Sequence, residues 1–127
     1  MTPAEIRKLL ALAEQGKSRD LALYAQQVQA AEAVAARKQA LLQGLRETPA
    51  LQDYAASARW QRWSEQEMRR LQTESRRIEV EKEARRKTAA TAVARVQALE
   101  LLLEKARKAD IQQARRRAEQ NGVPPDA

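Results

Sequence analysis

Two kinds of side chain in this sequence have a type and spacing that could recognise another molecule. Basic clusters could bind phosphates or carboxylates, and two indoles three residues apart could anchor a protein partner. The basic clusters are Arg69-Arg70, Arg76-Arg77, Arg85-Arg86-Lys87 and Arg115-Arg116-Arg117, and the indoles are Trp60 and Trp63. The sequence contains no Cys and no His, which excludes thiol nucleophiles, imidazole bases and disulfides. We expect no catalytic residue, no cofactor and no metal site, so the chain is not predicted to be an enzyme.

The positive charge is concentrated in the C-terminal half. Residues 69–120 contain fifteen basic and eight acidic side chains, a net of +7, whereas residues 1–68 contain nine and eight, a net of +1. Such a segment could attract nucleic acid, an anionic membrane or an acidic protein face. Glutamates interleave with the basic residues and no aromatic side chain lies among them to stack on bases. Nucleic acid is therefore the less favoured partner.

The composition favours long helices over a layered globular core. Ala fills 26 of the 127 positions, while the sequence has three Gly, four Pro, two Trp, two Tyr and no Phe. No run of 18 apolar residues is present, so no membrane span is expected. The first sixteen residues lack the uninterrupted apolar stretch of a signal peptide. We therefore expect the protein in the cytoplasm.

Start and stop signals delimit two helices. Thr2, Pro3 and Glu5 form a capped helix start, and Thr48-Pro49 forms a second start. Asn121-Gly122 is a helix stop. The sequence predicts an all-α fold: a long two-helix antiparallel coiled-coil hairpin whose second helix is longer than the first. Its parts are a helix at about 3–46, a turn at about 47–49, a helix at about 49–120, and a flexible tail at 123–127.

Alternating steps of three and four residues predict which side chains face the other helix. In the first helix this stripe begins with Ile6, Leu10 and Ala13 and is irregular between Gly16 and Asp20. It then continues through Leu21, Tyr24, Val28, Ala31, Ala35, Lys38, Leu42 and Leu45. In the second helix it is Met68, Leu71, Ser75, Ile78, Lys82, Arg85, Ala89, Ala92, Val96, Leu99, Leu103 and Ala106.

The unequal helix lengths leave two arrangements open. A hairpin turning at Thr48 would use up the first helix by about residue 93 and leave Val96 and Leu99–Leu103 unpaired. Either the second helix breaks at Ser64, where Ser64–Glu67 matches a capping box, or the overhang is real and binds a partner. The sequence alone does not decide between them.

Polar and aromatic residues near the stripe also have two interpretations. Lys82 and Arg85 either extend their charged ends to water or mark a weak point that permits bending or partner exchange. Trp60 and Trp63 either fill space near the hairpin corner or form a partner anchor. In the second interpretation, Met68 and Leu71 extend the Trp surface. Leu101 and Leu102 likewise widen the apolar surface around Leu99 and Leu103.

The segment Tyr54–Trp63 and the stretch Val96-Gln-Ala-Leu99-Glu100-Leu-Leu-Leu103-Glu104-Lys105-Ala-Arg107 resemble the FliJ family. These proteins are flagellar type III export components, related in plan to the YscO-type stalk proteins of injectisomes. The likeness covers nearly the whole chain. The resemblance implies a role in flagellum biogenesis and motility, in the cytoplasm or peripherally at the inner face of the cell membrane.

The resemblance also implies partners and the residues that bind them. Such a stalk would insert its helical termini into the export ATPase ring, promote the ring's assembly and turnover, contact the export-gate membrane protein, and hand over chaperone–substrate complexes. The residues facing the ATPase would be Ile6, Leu9 and Leu10 and the region Leu99–Arg107, with Leu99, Leu103 and Arg107 as its contact residues. Those facing the gate would be Trp60, Trp63, Met68 and Leu71. The run Arg115, Arg116 and Arg117 is predicted to make a specific protein contact. A generic coiled-coil scaffold and a nucleic-acid-associated helical protein remain the alternatives.

Overall fold

Two helices make up nearly all of the described chain. The computed structural model describes residues 1–47 and 54–122 and contains no strand within them. Helix α1 is Pro3–Glu47 and helix α2 is Tyr54–Gln120. The helices pack against each other, and α2 is the longer. The predicted all-α fold class is confirmed.

Side chains and backbone groups terminate the helices where the sequence predicted. The Glu5 amide donates to Thr2 Oγ1 at 3.2 Å, so Thr2 caps α1. At the other end Gly122 has a φ of 70°, a conformation that glycine adopts without steric cost and that stops the helix. The expected start at Thr48-Pro49 and the tail at 123–127 lie outside the described residues.

The chain divides into two compact units. Unit 1 comprises Met1–Asp20 and Thr88–Ala127, and unit 2 comprises Leu21–Lys87. Each unit pairs one segment of α1 with one segment of α2 in antiparallel orientation. The core of unit 2 is the cluster of Val34, Leu71 and Ile78. The buried apolar residues of unit 1 are Ile6, Ala89, Ala92, Val96 and Leu103.

The burial pattern of α2 confirms its predicted stripe, because all twelve residues are buried or half-buried. The predicted stripe of α1 is wrong in part. Val34 is buried and Leu41 half-buried, whereas Ala35 and Leu42 are exposed. The observed stripe alternates steps of four and three without any irregularity near Gly16. It consists of Ile6, Leu10, Ala13, Lys17, Asp20, Tyr24, Gln27, Ala31, Val34, Lys38 and Leu41.

Neither open arrangement of the second helix is found. α2 continues through Ser64, which is buried inside it. Leu99 is half-buried and lines a groove with Leu12 of α1, and Val96 and Leu103 are buried. The Leu99–Leu103 segment is therefore paired within unit 1.

Contacts near the end of α1 show where the pairing with α2 begins. Leu45, near the end of α1, lines a groove with Gln61 and Ser64. α2 has already made about two turns before reaching those residues, and Tyr54 is 93% exposed. The whole pairing of the helices therefore lies further along α2 than a turn at Thr48 predicts.

Candidate partner-binding surfaces

Two of the four basic clusters are neutralised by carboxylates on their own helix. These ion pairs join residues three or four apart, which are neighbours on a helix surface. They are Glu65–Arg69 at 3.6 Å, Glu67–Arg70, Glu81–Arg85 at 3.1 Å and Glu83–Arg86 at 2.7 Å. Glu104 and Lys108 form a further pair of this kind at 3.2 Å.

The hydrogen bonds within two of these pairs shift the pKa values of Glu83, Arg86 and Arg70. The bond from Arg86 lowers the pKa of Glu83, with further help from the charges of Arg86, Lys87 and Lys82. The same bond raises the pKa of Arg86. A side-chain hydrogen bond to Glu67 likewise raises the pKa of Arg70. These groups stay charged at neutral pH, and their fields cancel locally.

Lys82 and Arg85 occupy the stripe as the first of the two interpretations predicted. Their side chains are half-buried, and their charged ends pair with Glu79 at 3.6 Å and with Glu81 at 3.1 Å. The aliphatic stems therefore cover the helix interface while the charges reach the surface.

The other two clusters have no ion pair among the described residues, and the cluster at 115–117 differs from Arg76-Arg77 in having few carboxylates around it. Every residue from 107 to 117 is exposed. The segment contains five basic side chains and one acidic side chain, Asp110, for a net charge of +4. Within the described ranges, no carboxylate lies at ion-pair distance from Arg115, Arg116 or Arg117. We call residues 107–117 the cationic end of α2.

The residues predicted to face the export gate do not form one surface. Trp60, Trp63 and Leu71 line a groove that also includes Arg37 and Leu41 of α1. Met68 instead lines the groove that contains Leu42 and Leu45. Trp63 is 54% exposed, whereas Leu71 belongs to the core of unit 2. The exposed indole of Trp63 is the most accessible part of this region.

The predicted ATPase-facing residues all lie in unit 1, but several are covered. Ile6 and Leu103 are buried, Leu10 and Leu99 are half-buried, and Arg107 is exposed. Ile6 and Leu103 contribute to the core of the unit itself. A direct contact between a partner and those two side chains would require the helices to separate.

The sequence alone did not indicate that Leu12 and Leu102 lie beside the same groove. Leu9, Leu12, Gly16 and Leu99 line an open groove along unit 1. Leu102 lies one helical turn from Leu99 and is exposed. The signal was present in the sequence, since these leucines flank the stripe in both helices. It could be used only once the pairing of the helices was known.

The described residues contain no group of three His, Cys, Asp or Glu side chains able to hold a metal ion. Over the same residues, no helix combines the length and the hydropathy needed to cross a bilayer. In comparisons with known proteins, no family, no curated protein and no solved structure matches the chain.

Proposed function

We propose that this protein is a non-enzymatic stalk or adaptor of a flagellar type III export apparatus, which binds the export ATPase ring and promotes its assembly and turnover. The observation that carries this proposal is the exposed cationic end of α2, whose three consecutive arginines have no carboxylate partner in the described chain. Unpaired surface charge steers a partner of opposite charge and fixes its orientation. The proposal assigns this segment to an acidic face of the ring.

The thin interface of unit 1 supports the same role. Ala89 and Ala92 are buried between the helices, followed by Val96. Alanine side chains let two helices approach closely. A narrow helix pair suits a protein that enters the central hole of a ring.

The gate and chaperone contacts belong to the proposal as well. Trp63 is the best-placed residue for the gate, because its indole is exposed and tryptophan is enriched at the energetic centres of interfaces. Trp60 is half-buried beside it in the same groove. We assign the gate contact to the Trp60–Trp63 groove and not to Met68.

Binding to the flagellar export ATPase encoded in the same genome tests the proposal. Biolayer interferometry would compare the wild-type protein with the double variants R116E/R117E and R76E/R77E. Both variants reverse two exposed arginines in α2, so they carry the same net charge. We expect R116E/R117E to weaken binding by at least about tenfold and R76E/R77E by less than about threefold. No binding by the wild-type protein, or equal losses in both variants, would overturn the proposal.

A generic coiled-coil scaffold is the second candidate, and exposed leucines in unit 2 favour it. Leu21, Leu42 and Leu45 are each about two-fifths exposed, and such side chains could pack against further helices. Sedimentation velocity distinguishes the two functions. A scaffold would form dimers or tetramers at micromolar concentration, whereas the stalk would remain a monomer until it meets the ring.

A further inference from the structure

The two sides of the helix pair in unit 1 differ in chemistry. One side carries the groove lined by Leu9, Leu12, Gly16 and Leu99, which we call the leucine groove. Leu102 follows Arg95 by seven residues and so lies on the same face of α2. The positions that flank the stripe on the opposite side are occupied by charged residues, namely Arg7, Glu14, Glu100 and Arg107. Exposed leucines therefore accumulate on one side only.

The shape of the leucine groove suits another helix. Leu9 and Leu12 are 42% and 65% exposed, and they lie three residues apart along α1. A side chain added at Gly16 would meet no atom within 4 Å, so the groove is open at that point. Apolar side chains of an incoming helix, spaced three and four residues apart, could pack between the leucines and above Gly16.

The charges at the groove determine what kind of helix fits. Arg19 and Arg95 line it. Asp20 lines it too, but its carboxylate is engaged by Arg19 at 3.3 Å. No carboxylate in the described ranges is at ion-pair distance from Arg95. Among the residues that line the groove, the charge without an ion-pair partner is therefore the positive charge of Arg95, beside an apolar floor.

We infer that the leucine groove of unit 1 is a docking site for an acidic amphipathic helix of a partner protein. Its leucines face Leu9, Leu12, Leu99 and Leu102, and its flanking glutamates or aspartates pair with Arg95. The result is a three-helix arrangement in unit 1. A second copy of this chain is a poor occupant, because a two-fold symmetric contact would bring the positive charges of Arg95 in both copies together. The inference does not depend on the proposed export role.

A synthetic probe tests the inference with matched variants. The probe is a fluorescein-labelled peptide of three Glu-Leu-Ala-Ala-Leu-Glu-Glu heptads, and its counterpart has Lys in place of every Glu. Binding is measured by fluorescence anisotropy on the full chain. The variants L102D and L101D change adjacent leucines that are 48% and 62% exposed. Leu101 points to the opposite face of α2, about 180° from the stripe, so L101D is the control for folding and for added charge.

We expect the acidic probe to bind with a Kd in the micromolar range and the basic probe not to bind. L102D should weaken binding by at least about tenfold, and L101D by less than about twofold. Reversing Arg95 in the variant R95E should weaken the acidic probe and improve the basic one. Circular dichroism shows whether each variant stays helical.

Three outcomes would overturn the inference. One is that the acidic probe does not bind at concentrations up to about 100 µM. Another is that the variants show no specificity, so that L101D and L102D lose affinity equally or R95E leaves the preference for the acidic probe unchanged. The third is that the wild-type chain forms a dimer that L102D dissociates, in which case the groove belongs to a second copy.

Discussion

The hydroxyl of Ser64 donates a hydrogen bond of 2.9 Å to the backbone carbonyl oxygen of Trp60, one turn earlier in α2. A serine that starts a helix would instead accept a hydrogen bond from a backbone amide two or three residues later. Ser64 is thus an interior residue whose side chain bonds back to the preceding turn. This relationship excludes a helix start at Ser64 and keeps the Trp60–Trp63 segment in the same helix as the core residue Leu71.

The interior position of Ser64 predicts different costs for two substitutions. S64P removes a backbone donor and places the proline ring against the preceding turn, so we expect a loss of about 3 kcal/mol or more in the free energy of unfolding. S64A removes one modest hydrogen bond and should cost about 1 kcal/mol or less. Urea denaturation followed by circular dichroism measures both. Equal and small losses would show that the helix does start there.

The corrected stripe of α1 makes a second prediction, with two valines as a matched pair. Val34 is 2% exposed in the core of unit 2, whereas Val80 is 73% exposed on α2. We expect V34A to reduce the free energy of unfolding by about 1–3 kcal/mol, because it leaves a cavity beside Leu71 and Ile78. V80A should change it by less than about 0.5 kcal/mol. A similar loss in both variants would contradict the observed pairing.

The lowered pKa of Glu83 predicts how its ion pair with Arg86 responds to acid. A carboxyl whose pKa is lowered by folding contributes stability above its ordinary value of 4.5, and that contribution is lost as the pH falls through the lowered pKa. E83Q should therefore have a lower Tm than the wild-type protein at neutral pH. The difference should shrink as the pH falls below 4.5 and through the lowered pKa of Glu83, because the carboxyl group then becomes protonated. A Tm difference that stays constant from neutral pH to pH 3 would be inconsistent with the pair.

The distribution of paired and unpaired arginines predicts weak binding to nucleic acid. Arg69, Arg70, Arg85 and Arg86 are paired with glutamates. This leaves the cationic end and the scattered residues Arg76, Arg77 and Arg95 for phosphate contacts. We expect a labelled DNA duplex to bind with a Kd of about 10–100 µM at physiological salt, the range of non-specific association. Electrophoretic mobility shifts at two salt concentrations measure it. Sub-micromolar, sequence-dependent binding would favour the nucleic-acid alternative.

The sequence predicted the fold class, the start of α1, the end of α2 and the whole stripe of α2, because apolar spacing and capping residues are local signals. The predicted stripe of α1 was wrong in part because the polar residues Asp20 and Gln27 occupy positions of the observed stripe. The prediction selected their apolar neighbours Leu21 and Val28 instead. Which residues of α2 lie opposite which residues of α1 could not be predicted. No local signal shows that α2 makes about two turns before it reaches the residues beside Leu45. The leucine groove depends on that pairing, so Leu12 and Leu102 could be brought together only by the structure.

The proposed contact with the ring is tested by the turnover of the flagellar export ATPase from the same genome, measured at saturating ATP with increasing amounts of this protein. We expect clear stimulation that saturates near ring stoichiometry. R116E/R117E should abolish the stimulation, R76E/R77E should preserve it, and both variants should retain wild-type helicity. An unchanged turnover with the wild-type protein, or stimulation that both variants preserve equally, would contradict the claim that the cationic end of α2 engages the ring.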